Sequence, residues 1–308
     1  MRFVFSLLAA LALTACVDPK GADTFSSGGV LSGSILTQQD CAAFGDTAVW
    51  VTVDGRGECQ RYFHSGFSDD TETAQIFFHG DWMIQWLDGR ARVPDGYSSR
   101  ATPASRQSRA DGAASATGQP FIFFSRPGVF GSTGEHKRRR LARESQIISA
   151  ALDAIKARHG LTSLTLSGQS GGGHVVASLL TLRDDVDCAA IASGVVSVRD
   201  RSRIRGWGGQ DITGFTSFFD PIRHIGSIPT DTERRIFVVG DPQDSNTPFS
   251  TQQAYYTAVA DAGHAISLIK SRGGGRARHA LADTGIAVAG ACMSGAPTVD
   301  ITGRYSTL

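Results

Sequence analysis

The stretch LTLSGQSGGGHVVASLL, residues 164–180, sets four glycines around Ser170 between two apolar runs. The run before the glycines predicts a strand, and the run after them predicts a helix. Gly168, Ser170 and Gly172 match the pattern G-x-S-x-G, in which a sharp strand-to-helix turn exposes a serine at the end of a sheet. A side chain at either glycine would collide with neighbouring backbone. We therefore predict Ser170 as a nucleophile, with the backbone N–H of Gly171 directed at an oxyanion.

A glycine-rich turn without chemistry and a phosphate-binding loop are the alternatives for this stretch. No lysine follows in the Walker position, and the dinucleotide pattern G-x-G-x-x-G does not begin at Gly168, because Ser170 interrupts it. The position between a strand and a helix therefore favours the nucleophile.

Composition limits the classes of protein to which the chain can belong. Its 308 residues are 41% hydrophobic and 19% charged, which is enough to bury the core of one large domain or two small ones. The formal net charge is +1, which argues against a nucleic-acid-binding face that covers the domain. We expect no nucleic-acid partner.

Strands and helices alternate along the chain. Strand patterns cover residues 47–53, 58–63, 74–78, 120–124, 163–166, 189–196, 235–239 and 266–269, and helical patterns cover 136–159, 172–182, 251–262 and 280–288. This alternation predicts a mostly parallel sheet that is covered on both faces. Asp54-Gly55 joins the first two strands as a hairpin, so the sheet should start antiparallel.

Three segments depart from this alternation. Residues 16–39 are rich in Gly, Ser, Thr and Asp and predict a flexible tether to a domain of residues 40–308. Residues 88–119 indicate an irregular loop, which serves as a lid or binding loop or is disordered. Residues 199–228 suit either the core of a small cap or an exposed apolar wall. They carry four large aromatic residues, Trp207, Phe215, Phe218 and Phe219.

The general base must come from a histidine late in the chain. A nucleophilic serine needs a base and an orienting acid, and after this kind of turn the order is Ser, then Asp or Glu, then His. His279 follows the last predicted strand, where a loop can place its imidazole over the end of the sheet. His264 precedes that strand and would lie at the opposite end. His279 is therefore the predicted base.

These features together resemble the α/β-hydrolase family over about residues 45–290. The segment SRPGVFGSTG, residues 125–134, is similar to a Pro-Gly-x-x-Gly-Ser turn common in that superfamily. The resemblance implies a central eight-stranded sheet with helices on both faces, a small cap insertion, a serine nucleophile, and neither cofactor nor metal. One departure is the arginine-rich approach to His279 in GGGRARHAL.

The resemblance also ranks the candidates for the acid. Asp241 and Asp244 both follow the strand at 235–239. Asp244 precedes Pro248 and a predicted helix, which resembles the acid loop of the family, so it is preferred over Asp241. Asp200, after the preceding strand, is a remote third.

A second oxyanion donor is implied in the loop after the third strand. His79-Gly80, in IFFHGDWM, resembles the family's His-Gly motif at that place. The backbone N–H of Asp81 is the expected donor, with that of Trp82 next. The imidazole of His79 is expected to orient the loop.

The four cysteines within the expected domain predict two disulfides. Three pairings of Cys41, Cys59, Cys188 and Cys292 are possible. Cys41 with Cys59 is favoured because the two flank the opening hairpin region, which leaves Cys188 for Cys292. A zinc site is less favoured because no C-x-x-C spacing occurs.

The N-terminus predicts export. Arg2 precedes an apolar run, residues 3–13, that is too short to span a bilayer. Leu13-Thr14-Ala15-Cys16 resembles the lipobox of bacterial lipoproteins, which implies a signal peptide of residues 1–15 and a lipidated Cys16. The protein would then be anchored to a membrane of the cell envelope, on its periplasmic or outer side. An ordinary secretory signal with an incidental cysteine is the alternative.

The implied chemistry is acyl transfer to water by Ser170, Asp244 and His279, on a small-molecule or acyl substrate. The fold does not fix the substrate, because it hosts esterases, lipases, peptidases and non-hydrolytic members. Carboxylic ester hydrolysis ranks first. A prolyl-oligopeptidase-like peptidase ranks second, because those usually carry a propeller domain for which the chain has no room. A non-catalytic binding lipoprotein ranks third.

The basic run HKRRR, residues 136–140, has two interpretations. A solvated face of the helix predicted there is the more common one. A patch for anionic lipid or an acidic substrate is the alternative.

Overall fold

The computed structural model describes residues 25–308. The predicted signal peptide and the predicted lipidation at Cys16 lie outside these residues. Within the described part of the chain, no helix combines the length and the hydropathy that a membrane crossing requires.

The described residues contain ten strands, eight of which form one sheet. They are β1 (Ala48–Val53), β2 (Arg56–Ser65), β3 (Thr73–Phe78), β4 (Ile84–Gln85), β5 (Ala91–Arg92), β6 (Phe121–Phe124), β7 (Ser163–Gln169), β8 (Val186–Ala192), β9 (Arg235–Gly240) and β10 (Ile266–Lys270). The sheet has the order β1-β2-β6-β3-β7-β8-β9-β10, and β4 and β5 pair with each other alone. Pairing is antiparallel from β1 to β2 and from β2 to β6, and parallel elsewhere in the sheet. The mostly parallel sheet with an antiparallel start is confirmed.

Helices cover both faces of the sheet. They are α1 (Ser27–Ser32), α2 (Gln38–Ala42), α3 (Tyr97–Arg100), α4 (Pro103–Thr117), α5 (Ala142–His159), α6 (Gly171–Leu179), α7 (Val198–Ile204), α8 (Phe249–Asp261), α9 (Ala282–Met293) and α10 (Thr298–Tyr305). Successive residues of a strand point to opposite faces. Ile76 and Phe78 accordingly pack in a core with α5, α6 and α8, whereas Phe77 packs in a second core with α4 and α9.

Helix α4 corrects the prediction of an irregular loop over residues 88–119. Thr102 and Ser105 exchange side-chain and backbone hydrogen bonds as a capping box, and Pro103 occupies the first turn, so the helix has a strong start. Its buried residues are Ala110, Ala113 and Ala114. Because alanine gives only a weak apolar period, the sequence pattern concealed this helix.

The predicted flexible tether is wrong for residues 25–39. Phe25 and Val30 are buried, with exposed fractions of 6% and 1%. The backbone N–H of Phe25 donates to the carbonyl of Ala101 (3.1 Å), and Ser34 and Gly134 exchange two backbone hydrogen bonds (2.9 and 2.8 Å). This part of the chain therefore packs on the domain, held by two apolar side chains and a short bridge.

The segment 199–228 starts within α7 and continues as mostly irregular chain with two short 3-10 turns. Its four large aromatic side chains are all half-buried, so they form neither a closed core nor a fully exposed wall. Trp207 packs under the guanidinium of Arg201 (4.9 Å to the ring centroid), and Phe219 stacks on His224 (4.3 Å between centroids).

The basic run 136–140 is not a solvated helix face. The helix predicted from residue 136 begins instead at Ala142, and His136, Arg139 and Arg140 are buried. Their partners are carboxylates and backbone groups near the end of the sheet, and they are described with the site below.

Both favoured disulfides are present, Cys41–Cys59 and Cys188–Cys292. The first joins α2 to β2. The second joins β8 to α9, across 104 residues of chain.

Candidate active site

The turn between β7 and α6 has the geometry of a strained elbow. Ser170 has φ 59° and ψ −116°, a conformation that L-residues rarely adopt. A Cβ atom at Gly168 would lie 2.3 Å from the carbonyl oxygen of Gly172, and one at Gly172 would lie 1.9 Å from that of Phe78. Only glycine fits at these two positions. The turn therefore presents Ser170 at the carboxyl end of the sheet, as the sequence pattern predicts.

His279 and Asp244 are hydrogen-bonded to each other. The Nδ1–O distance from His279 to Asp244 Oδ2 is 2.7 Å, and the carboxylate is fully buried. Asp244 Oδ1 accepts the backbone N–H groups of Asn246 (2.8 Å) and Thr247 (2.9 Å). A carboxylate held in this way fixes the tautomer with hydrogen on Nδ1, which leaves Nε2 of His279 as a proton acceptor.

Asp241 makes different contacts. Its carboxylate accepts the backbone N–H groups of Gln243 and Gly273 (both 2.8 Å) and forms an ion pair with Arg278 (3.0 Å). It therefore supports the loop that carries His279 without contacting the imidazole. Burial would raise the pKa of Asp241, but these hydrogen bonds and Arg278 outweigh it and lower the pKa from its usual range.

The other sequence candidates lie elsewhere. Asp200 accepts the hydroxyl of Ser197 (2.7 Å) and pairs with Arg203 (2.7 Å). His264 precedes β10 and His279 follows it, so the two lie beyond opposite ends of that strand.

The elbow and the histidine loop are tied together through Gln169. Its side-chain amide donates to the backbone carbonyl of His279 (3.1 Å). Among the described residues, no side chain is hydrogen-bonded to the hydroxyl of Ser170. Catalytic hydrogen bonds are often long in unliganded sites and tighten only when a substrate is bound.

The backbone N–H groups of Gly171 and Asp81 are among those near the serine that have no acceptor within residues 25–308. The two residues are adjacent, because a Cβ atom at Gly171 would lie 2.0 Å from Asp81 Oδ1. The N–H of Trp82 is already used, since it donates to Nε2 of His136 (3.1 Å). The N–H of Trp82 is therefore not available to an oxyanion, which corrects the expectation for that residue. The N–H of Asp81 stays the candidate donor.

His79 orients the peptide unit that carries the N–H of Asp81. Its Nδ1 donates to the carbonyl of Gly80 (2.7 Å), and its Nε2 accepts the N–H of Arg126 (3.3 Å). Both bonds together require a neutral ring. Burial, with a further contribution from Arg126, lowers the pKa of His79 to about 3, so the ring stays neutral at physiological pH.

A cluster of charged residues behind the loop was missed by the sequence analysis. Arg126, Arg139 and Arg140 all bind the carboxylate of Asp81. Burial alone would raise the pKa of Asp81, but the guanidinium groups of Arg140, Arg139 and Arg126 outweigh it and hold the pKa well below its usual range. The only sequence signal was an unusual density of arginine at 138–140 near the end of the sheet.

Arg126 is closed to solvent. It is fully buried, and its guanidinium is bound to Glu144 (2.7 Å), Asp81 (3.0 Å) and the carbonyl of His79 (3.1 Å). It therefore has no free face for a ligand. In the part of the chain that the structure covers, no three His, Cys, Asp or Glu side chains form a group that could hold a metal ion.

Solved structures provide the comparison for this architecture. No protein-family model and no curated protein matches the chain. The acylaminoacyl peptidase of Pyrococcus horikoshii matches with a TM-score of 0.52 and 13% sequence identity, over 84% of this chain and 39% of that chain. The Pyrococcus furiosus esterase Pf2001 matches with 0.50 and 13%, over 77% and 86%. Est1E from Butyrivibrio proteoclasticus matches with 0.50 and 12%, over 81% and 98%.

The chain has the α/β-hydrolase fold. Its eight-stranded, mostly parallel sheet and the helices on both faces agree with these structures, and the predicted fold class is confirmed. At such low sequence identity the likeness concerns the fold alone. The chain spans 39% of the length of the Pyrococcus horikoshii peptidase.

The tightness of the elbow leads to a first prediction. Gly172→Ala should lower the free energy of unfolding by about 3 kcal/mol, because the new methyl group meets the fixed carbonyl of Phe78. Gly112→Ala is the matched control, since Gly112 lies in α4 with open space at its Cβ position, and it should be neutral or stabilise by up to about 1 kcal/mol. Denaturant unfolding of both variants measures the difference. Equal stability of the two variants would contradict the tight turn.

Proposed function

We propose that the protein is a serine hydrolase that transfers an acyl group from a carboxylic ester to water. The observation that carries the proposal is the 2.7 Å bond between His279 and buried Asp244, with Ser170 on a strained turn in the same site region. A buried carboxylate bound to a histidine whose backbone carbonyl is hydrogen-bonded by the residue before an elbow serine supports the roles of orienting acid, base and nucleophile.

The proposed reaction has two halves, acylation of Ser170 and hydrolysis of the acyl-enzyme, and the same groups act in both. Nε2 of His279 takes the proton of the Ser170 hydroxyl while Oγ bonds to the ester carbonyl carbon, and the carbonyl electron pair moves to oxygen. The N–H groups of Gly171 and Asp81 stabilise that oxyanion. When the oxyanion collapses, the alkoxide leaves and takes the proton from the imidazolium. Water then attacks the carbonyl carbon of the acyl-enzyme while Nε2 of His279 takes a proton from it. Collapse of this second oxyanion breaks the bond to Ser170 Oγ, which takes the proton from the imidazolium, and the acid is released. Asp244 stabilises the imidazolium in both halves.

The state of Arg126 favours an ester over a peptide with a free carboxylate. Arg126 is a buried arginine beside Gly171, and its guanidinium is already bound by Glu144, Asp81 and the carbonyl of His79, so it is not free to bind such a carboxylate. Burying an uncompensated substrate charge is costly. The half-buried aromatic side chains of residues 199–228 suit an apolar acyl or alcohol group.

A serine peptidase is the second candidate. The match to the Pyrococcus horikoshii acylaminoacyl peptidase favours it at the level of fold, although this chain covers 39% of that protein. A binding protein without catalysis is the third, and it would require that Ser170 be unreactive.

Export and lipid anchoring at Cys16 are part of the proposal. The lipobox-like sequence before Cys16 supports them. The two disulfides also fit a compartment outside the cytosol, where such bonds persist.

The nucleophile can be tested directly. A fluorophosphonate probe should label the wild-type protein at Ser170, because the probe reacts with serines activated by a neighbouring base. Ser170→Ala should abolish labelling while the thermal unfolding midpoint stays close to that of the wild type. Peptide mapping of the adduct identifies the residue. Labelling that survives in Ser170→Ala would refute the assignment.

The acid can be tested by two matched variants. Asp244→Asn should lower kcat for a p-nitrophenyl ester by about 10³- to 10⁴-fold, because the histidine loses the partner that sets its tautomer. Asp241→Asn replaces a neighbouring buried carboxylate that does not contact His279. The fold reduction in kcat should therefore be at least about 100 times smaller in Asp241→Asn than in Asp244→Asn. Steady-state kinetics measures both. A larger loss in Asp241→Asn would exchange the two roles.

The substrate class is tested by a panel of compounds. p-Nitrophenyl esters of increasing chain length should be hydrolysed with higher kcat/KM than aminoacyl and prolyl p-nitroanilides. The reason is that Arg126, the buried arginine beside the elbow, is already bound by Glu144 and Asp81 and is not free to pair with a peptide terminus. If an amide is cleaved with higher kcat/KM than every ester, the peptidase replaces the esterase as the proposal.

A further inference from the structure

The side chain of Asp81 is the meeting point of three arginines. Its Oδ1 lies 3.0 Å from Arg126 Nη1, and its Oδ2 lies 3.0 Å from Arg139 Nε and 2.6 Å from Arg140 Nη1. The three arginines come from the segment after β6 and from the segment before α5. A single carboxylate on the loop after β3 therefore holds two other segments.

The positive and negative charges of this cluster are equal in number. Arg140 also binds Asp211 (2.8 Å) and Arg126 also binds Glu144 (2.7 Å), so three guanidinium groups face three carboxylates. Arg126 and Arg140 are fully buried, and the side chain of Asp81 is the most exposed of the six at 21%. With each cation already paired, the cluster is not a vacant anion site.

The backbone at Arg140 is held in an unusual state. Its φ is 65°, a left-handed conformation for a residue that is not glycine. Its N–H donates to Glu144 Oε2 (2.7 Å), and its carbonyl accepts the N–H of Phe219 (2.7 Å). Such strain persists only where surrounding contacts determine the conformation, and here they direct the guanidinium at Asp81.

The same aspartate lies against the elbow. Its Oδ1 is so close to Gly171 that a Cβ atom there would lie 2.0 Å away, and Arg126 Nη1 would lie 2.8 Å from it. On the other side of Asp81, the N–H of Trp82 is fixed by His136 (3.1 Å). The carboxylate thus belongs to a residue that lies against Gly171, and the preceding residue, Gly80, lies against Ser170.

We propose that the carboxylate of Asp81, clamped by Arg126, Arg139 and Arg140, is a positioning group that sets the backbone N–H of Asp81 as an oxyanion donor beside that of Gly171. This role rests on the proposed hydrolase function. In this role the cluster stabilises the transition state and not the bound substrate, because the N–H donor is needed only once the oxyanion forms. A misplacement of about 1 Å in such a donor costs about 100-fold in rate.

The test compares Asp81→Asn with Asp211→Asn in the full-length protein. Both variants remove one carboxylate from Arg140 and leave the same excess of positive charge, but only Asp81 belongs to the loop that faces the serine. Asp81→Asn should lower kcat for a p-nitrophenyl ester by about 10- to 100-fold and weaken inhibition by phenylboronic acid by a similar factor, with KM changed by less than about threefold. Phenylboronic acid reports the oxyanion site because its serine adduct is tetrahedral and negatively charged. Asp211→Asn removes only the second partner of Arg140 and leaves the loop of Asp81 intact, so it should lower kcat and boronate affinity by a factor at least about threefold smaller than Asp81→Asn does.

Each outcome of this comparison decides the proposal. If the two variants reduce kcat and boronate affinity by the same factor, or if Asp81→Asn raises only KM, the positioning role is refuted while the hydrolase stands. If the wild-type protein hydrolyses no substrate and does not react with a fluorophosphonate, the proposed function fails, and this role fails with it. Should Asp81→Asn not fold, Arg139→Lys keeps the charge but loses the planar contact, and wild-type boronate affinity in that variant would refute the proposal.

Discussion

One close approach of backbone determines where the site can be. The carbonyl oxygen of Phe78, at the end of β3, lies where a side chain of residue 172 would begin, so only glycine allows α6 to start there. Phe78 pairs in register with Gly168 on the neighbouring strand β7. The loop after β3 and the turn after β7 therefore leave the sheet side by side. This contact brings the loop that carries Asp81 against the turn that carries Ser170 and Gly171.

Rigid polar contacts extend this arrangement on both sides. On one side, the carboxylate of Asp244 is fixed by two backbone N–H groups before it binds His279. On the other side, His79 fixes a peptide carbonyl and the arginines fix the carboxylate of Asp81. Buried hydrogen bonds and ion pairs of this kind restrict the chain to one geometry, although Arg140 Nε and Asp211 Oδ1 have no hydrogen-bond partner among residues 25–308.

Local patterns carried most of what the sequence predicted. The G-x-S-x-G turn, the alternation of strands and helices and the Asp-Gly hairpin depend on neighbouring residues, and the structure has each of them. What the sequence did not predict depends on distant partners or on weak signals. Helix α4 buries only alanine, and the segment from Phe25 is held by two apolar side chains. The burial of Arg139 and Arg140 depends on Asp81 and Asp211, which lie about 60 or more residues away in sequence and could not be paired with them by pattern.

The closed arginine cluster also limits how this protein can diverge. Six buried or nearly buried charges balance, so replacing one member leaves an uncompensated charge that costs about 3–5 kcal/mol, a large part of the stability of an ordinary domain. Substituting a whole ion pair by apolar residues of similar volume avoids that cost. Related sequences should therefore differ at these positions in compensating pairs, and Asp81 should change together with residues 126, 139 and 140 rather than alone.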